Sequence, residues 1–333
     1  MLWNNATRPS SNEVDAASTL TSALARRSLT LRPVRAVGVS AFCSLLFLVL
    51  VAGLSVACGG GGHTQTRVPA NHPTFAHVVL VVEENHGFSE VIGNSAMPYL
   101  NGLAQQYGLA AQYYGNAHPS LPNYLMLTTG QMEAMDNSFT GTIKDDNVVR
   151  ELTKAGKSWK CYAEGLPSVG YTGTDVFPYL RHHNPFSYFS DTQGNTPQTS
   201  NIVSFSEFAP DLANNTLPQY SFIIPDVLND GHDGSLAQAD GWLQQNLGPL
   251  VSSSSFQSSG LLIITFDEAE QADTAHGGGH VATIIVSSKS KKNFVSQTLY
   301  QHPSTLRLML AALGVDHFPG AAATAPDMTE FFQ

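Results

Sequence analysis

Residues 77–85 read HVVLVVEEN, and this stretch decides the fold. Six residues, 77–82, are almost all apolar and mostly β-branched, and they stop abruptly at Glu83 and Glu84. A short, unbroken run of this kind is a strand buried on both faces, as in a parallel sheet. The pattern recurs: 220–224 stops at Pro225 and Asp226, and 261–266 stops at Asp267 and Glu268. Residues 281–286 form a fourth such run, expected as another parallel strand. Helical patterns lie between them, at 97–107, at 146–155 closed by Gly156, at 236–247, and at 304–313 closed by Gly314. In the last, Leu306, Met309, Leu310 and Leu313 make one apolar stripe for packing on a sheet. The alternation predicts an α/β domain with a doubly wound, mostly parallel sheet flanked by helices. Ligands sit beyond the carboxyl ends of such strands, the edge that here carries all the acids. Residues 157–215, rich in Tyr, Phe, Asn, Pro and Ser, are expected as a loop-rich excursion covering that edge.

At the front of the chain, Arg26, Arg27, Arg32 and Arg35 precede a nearly continuous apolar run at 36–57, the order of an export signal or membrane anchor. The run ends in Leu54, Ser55, Val56, Ala57 and Cys58 followed by four glycines, which resembles a bacterial lipoprotein cleavage site. The expectation is a leader at 1–57, a flexible linker at 58–73 and one folded domain at 74–333, held at the cell envelope as a lipoprotein, otherwise periplasmic or secreted. An uncleaved anchor is the other reading of the same run. The 333 residues carry 16 Lys and Arg against 26 Asp and Glu, and the leader takes five of the arginines, so the remainder is more acidic still. That balance disfavours nucleic acid, and no protein partner is evident. With 13% charged and 42% hydrophobic residues, 28 Gly and 18 Pro, the chain is neither disordered nor a coiled coil. Cys43, Cys58 and Cys161 make no disulfide framework or zinc motif, and Cys161 is expected as a small buried residue.

Glu84 and Asn85 offer a carboxylate and an amide oxygen together at a strand end, a pair suited to a divalent cation; a helix cap or turn is the plainer alternative. Asp267 and Glu268 end the run 261–266 in the same way. If the two strands are neighbours, these carboxylates repel one another, and a cation resolves the conflict. Residues 117–124, AHPSLPNY, put Ser120 at or near the start of an apolar helical run that ends at Gly130. Free N–H groups there suit a phosphate held against the hydroxyl, although an ordinary N-cap serine accounts for the same residues. The G-x-S-x-G elbow of serine esterases is absent, so a metal is the more natural activator of Ser120. Histidines gather in loops beside acids: His118, the pair His182 and His183, His232 within NDGHDG at 229–234, and His276 and His280 around three glycines. In such places they hold phosphoryl oxygens as cations, protonate a leaving group or bind metal. Gly277 to Gly279 suggest either a close backbone approach to a ligand or a plain loop.

In order along the chain, Glu84-Asn85-His86, His118 through Tyr124, Asn229 through Asp233, and Phe266-Asp267-Glu268 resemble the phosphoesterase family that contains bacterial acid phosphatases and phospholipases C. The likeness spans about residues 75–316 and implies the fold of the alkaline phosphatase superfamily. It implies a metal-dependent phosphoric ester hydrolase working through a phosphoserine, with 74–333 as the catalytic domain. One divalent metal, its identity open, would rest on Glu84, Asn85, Ser120, Asp267 and Glu268, with Ser120 also the nucleophile. His182, His183 and His232 would surround the phosphate, His232 as the preferred acid. The Asp-His pair of two-zinc relatives is replaced by Asp267-Glu268, which favours a single metal. The substrate would be a small-molecule or lipid phosphate ester, in the manner of an acid phosphatase. A phospholipase C-like phosphodiesterase and a catalytically inactive surface binding protein are the alternatives. The shorter chain, without an obvious C-terminal lipid-binding domain, turns the expectation away from phospholipid.

Overall fold

A computed structural model describes residues 72–194 and 196–333. The expected leader, its Cys58 cleavage site and linker residues 58–71 lie outside the described residues.

The first acid-terminated run is β1 (His77–Glu83). Along the chain follow α1 (Phe88–Val91), α2 (Pro98–Gln106), β2 (Gly108–Tyr114), α3 (Ser120–Thr129), α4 (Val148–Lys154), β3 (Trp159–Ala163), β4 (Ile202–Ser204), α5 (Phe208–Ala213) and β5 (Tyr220–Ile224). The chain continues through α6 (Leu236–Ser252), α7 (Ser254–Ser259), β6 (Gly260–Phe266), β7 (His280–Val286), β8 (Phe294–Ser296), β9 (Tyr300–Gln301) and α8 (His302–Ala312). The strands form one sheet in the order β4-β3-β5-β1-β6-β7-β2-β8, with β9 beside β2.

What positions the site is that β1 lies between β5 and β6 and parallel to both. The three strands that end in acids are thus neighbours. Val81 pairs with Ile223 and Glu83 with Phe266, so Glu84 and Asp267 leave the sheet side by side. All five residues of β5 and all seven of β6 are buried, as expected of strands covered on both faces. The helices fall into two packed groups, α3 and α4 on α8, and α2 and α7 on α6, the two layers that a doubly wound sheet needs.

The predicted helices and strands are present, with three corrections. Run 281–286 is a strand, but β7 lies antiparallel to both β6 and β2. The link from β6 to β7 holds no crossover helix, and a direct return of that kind reverses the strand. The excursion at 157–215 is narrower than expected, since β3, β4 and α5 lie inside it and β3 pairs with β5. Helix α6 runs past Leu247 through Gly248 and Pro249 to Ser252, because buried Leu250 extends the stripe of Trp242, Leu243 and Leu247.

Ile263 is fully buried in β6 between β1 and β7. Ile263→Ala should lower the unfolding free energy by about 2–5 kcal/mol in a urea titration. Val295→Ala, at a half-exposed edge position, should change it by less than about 0.5 kcal/mol. Equal effects would mean that β6 is not at the centre of the sheet.

Candidate active site

Because β1 and β6 end side by side, Glu84, Asp267 and Glu268 meet beyond the sheet, all three buried. Helix α3 brings the hydroxyl to them. Ser120 is its first residue, and Ser120 Oγ donates to Glu84 Oε2 at 3.1 Å. The same hydroxyl lies close enough to Asp267 and Glu268 to draw both pKa values down against the effect of burial. One turn further along α3, Tyr124 donates its hydroxyl to Glu84 Oε1 at 2.5 Å, and Asn123 donates to Glu268 Oε2 at 3.2 Å. Ser120, Asn123 and Tyr124 stand at i, i+3 and i+4, so a single helix face addresses both strand ends.

Electrostatically the carboxylates are in conflict. Burial first, then Asp267 and Asp230, pushes Glu84 well above the ordinary carboxylate range. Burial and Glu268 do the same to Asp267, and burial raises Glu268 to about 8. Asp267 Oδ1 accepts from Asn85 N at 3.3 Å and Glu268 N at 2.6 Å, yet buried Asp267 Oδ2 has no hydrogen-bond partner. An orphaned carboxylate oxygen among buried carboxylates and a serine hydroxyl is a donor set that fits a hard divalent cation. Asn85 supports the cluster through its backbone, in the left-handed region at φ 58°.

The structure adds Asp230, a residue singled out for no role in the sequence. His183 Nε2 stands 3.4 Å from Glu84 Oε1, and His183 Nδ1 stands 3.4 Å from Asp230 Oδ2. Glu84, His183 and Asp230 place ligand atoms within 4.8 Å of one another, so His183 joins the carboxylate cluster directly. Burial, with His183 next to it, lowers the His182 pKa to about 4, and burial and His232 lower that of His183 to about 3. Burial thus disfavours the cationic form of both rings, while proton donation and metal binding stay open to them. Asp230 Oδ1 accepts from His232 N at 2.8 Å, and the His232 ring, one third exposed, lies 5.8 Å from that of His183. His232 is thus on the open side of the cluster.

Other expected features are placed differently. Pro119, not Ser120, is the N-cap of α3. The N–H of Leu121, one of those expected to face a phosphate, donates to Asn137 Oδ1 at 2.9 Å. His118 Nδ1 sits 2.9 Å from Glu268 Oε2 and is part of the cluster's edge. His280 stacks between Phe88 and Tyr114, and His276 rests on Tyr114, so both belong to an aromatic stack. Two of the three glycines pack against backbone: a Cβ on Gly277 would lie 2.1 Å from Asn116 O, and one on Gly278 2.6 Å from Ala117 O.

Comparison with known proteins agrees with this geometry. Residues 94–316 match the model of the Phosphoesterase family. A phosphatidylinositol-3-phosphatase of Mycobacterium tuberculosis is 34% identical over 85% of this chain and 92% of its own length. A probable acid phosphatase of Kluyveromyces lactis is 30% identical over 73% of this chain, which spans 59% of that protein. Among solved structures, a protein in the alkaline phosphatase superfamily from Vibrio parahaemolyticus shares the fold with a TM-score of 0.55 at 12% identity, covering 80% of this chain and 71% of that one.

Asn123, fully buried, ties this site together: its Oδ1 accepts from Asn116 N at 2.8 Å and Ala117 N at 3.0 Å, while Nδ2 reaches Ala117 O at 2.7 Å. Asn123→Ala leaves these groups unpaired, and the protein should lose at least about 2 kcal/mol of stability by urea denaturation. A loss below about 0.5 kcal/mol would show that the loop 115–119 holds itself.

Proposed function

The chain belongs to the phosphoesterase family and is a phosphoric ester hydrolase, and we propose that it cleaves phosphate monoesters through a phosphoserine formed at Ser120. The observation that carries this reading is the Ser120 hydroxyl, 3.1 Å from Glu84 and adjoining Asp267 and Glu268 at the carboxyl edge of the sheet. Glu84, Asn85, Ser120, Asp267 and Glu268 would hold one divalent cation, with His183 and Asp230 beside it. When bound, such an ion supplies the positive charge that neutralises the carboxylates and makes a serine hydroxyl more acidic.

The chain's own residues supply the remainder. Ser120 Oγ, its proton already released to solvent, bonds as the alkoxide to phosphorus while the bond from phosphorus to the ester oxygen breaks. His232, on the open side, donates a proton to the departing alcohol oxygen. Water then attacks the phosphoserine with His232 accepting one of its protons, which releases phosphate, restores the Ser120 alkoxide and leaves His232 protonated for the next turnover. His182, whose Nδ1 faces Asp175, would offer Nε2 to a non-bridging oxygen, while His183, held between Glu84 and Asp230, positions those carboxylates. The two relatives, named for phosphatase activities, support a monoester in place of a diester. Their names also favour turnover over a purely binding role. The basic-then-apolar order at the front of the chain supports export and a membrane tether for the domain at 74–333.

Ser120→Ala should lower hydrolysis of a chromogenic phosphate monoester by at least about 1,000-fold while leaving the circular dichroism and thermal midpoint near those of the wild type. Rapidly quenched wild-type reactions should carry phosphate on the peptide containing Ser120. A Ser120→Ala protein with near wild-type turnover contradicts the nucleophile assignment.

A further inference from the structure

Val176 and Tyr179 exchange backbone hydrogen bonds of 2.9 Å in both directions, closing a tight turn with Phe177 and Pro178 at its tip. The tip leaves apolar surface in solvent, with Phe177 66% and Val176 44% exposed. Pro178 O accepts from Val227 N at 3.2 Å, so the turn abuts a second loop, on which Leu228 is 36% exposed. Isolated exposed apolar side chains are ordinary, but an aromatic at the tip of a backbone-pinned turn, next to a second such side chain, is a patch.

These two loops also carry the site histidines. Asp175, at the base of the turn, accepts from Arg181 N at 2.6 Å and faces His182 Nδ1 at 3.1 Å. The His182 ring packs edge-on to His183 at 4.8 Å, and His183 stands 3.4 Å from Glu84, the acceptor of the Ser120 hydroxyl. The second loop holds Asp230 and His232. An unbroken series of contacts therefore links the apolar tip to the reacting serine.

Charge narrows the partner. Neither 164–180 nor 225–236 contains a Lys or Arg, whereas Asp175 and Asp233 are about half exposed. An apolar tip ringed by acids opposes an anionic surface and complements the outward ammonium groups of a zwitterionic lipid layer. Two or three protruding side chains are too few for a specific protein interface, which needs about 800 Å² on each partner. They suffice to insert among lipid headgroups, where shape complementarity is not required.

We propose that the turn at 175–179, with Leu228, docks on a zwitterionic lipid surface and presents membrane-borne phosphate esters to Ser120, an inference that rests on the phosphoesterase reading. The contact lies within the catalytic domain and needs no separate lipid-binding domain.

In the test, full-length Phe177→Trp protein is mixed with phosphatidylcholine vesicles whose acyl chains are brominated. Docking predicts quenching of tryptophan emission beyond that of the wild type, whose own tryptophans set the baseline. Phe177→Ser is then assayed on a water-soluble chromogenic phosphate monoester and on phosphatidic acid carried in phosphatidylcholine vesicles. The soluble rate should stay within about twofold of wild type, while kcat/KM on the vesicle ester falls about tenfold or more, the scale set by withdrawing one aromatic side chain from an apolar environment. Exchanging phosphatidylcholine for anionic phosphatidylglycerol should weaken the wild type on vesicles. No added quenching, or equal vesicle rates for wild type and Phe177→Ser, overturns the docking surface and leaves the hydrolase reading intact. A wild type that turns over the soluble ester but not the vesicle ester overturns lipid presentation, and one that turns over neither overturns the hydrolase reading itself.

Discussion

Burial of several carboxylates at one point is the constraint on which the rest of this structure depends. Strands β1 and β6 are parallel neighbours in register, so their acid-bearing ends cannot avoid each other. The pleat sends successive side chains to opposite faces, and only one member of the pair Glu83 and Glu84 joins the cluster through a hydrogen bond to Ser120. Glu83 is fully buried without a hydrogen-bond partner and is raised by burial, Asp230, Asp240 and Glu164. No fold would gather this much like charge for stability alone, because each acid loses hydration and faces the others across a medium of low polarity. Tyr124, Asn123 and the histidines His118 and His183 relieve part of the conflict, and the orphaned Asp267 Oδ2 marks what they leave unrelieved.

Much of this was legible in the sequence where a local pattern carried long-range meaning. Apolar runs that stop at acids identify both the buried strands and the edge at which function sits. The AHPSLPNY stretch yields the helix start and Ser120. Asn123 and Tyr124 were also readable, since their spacing from Ser120 already puts them on its helix face. Asp230 was not, because its position depends on how the loop after β5 folds back on Glu84, whose N–H donates to Asp230 O at 2.8 Å. The direction of β7 was hidden for a related reason: a strand's own residues look alike in either direction, and only the link before it decides. Strand β4 is three residues long and has no pattern to read.

The loops at the carboxyl edge do two kinds of work with different residues. Their bases hold Arg181, His182, His183 and Asp230 in buried or nearly buried positions, where hydrogen bonds fix the geometry that chemistry requires. Their tips carry Phe177 and Leu228 with much of each apolar side chain open to solvent. A rigid sheet with functional loops at one edge permits this separation, because the tips can change without moving the bases.

The cation is the point at which the account is most exposed. Metal content of the purified full-length protein, measured by mass spectrometry of the elements after dialysis against metal-free buffer, addresses it without reference to turnover. A single cation held by these carboxylates requires about one equivalent of a divalent metal in the wild type and its loss in the Asp267→Asn, Glu268→Gln double variant. A wild type free of metal that stays metal-free when divalent salts are supplied, or a double variant that keeps its equivalent, would contradict it.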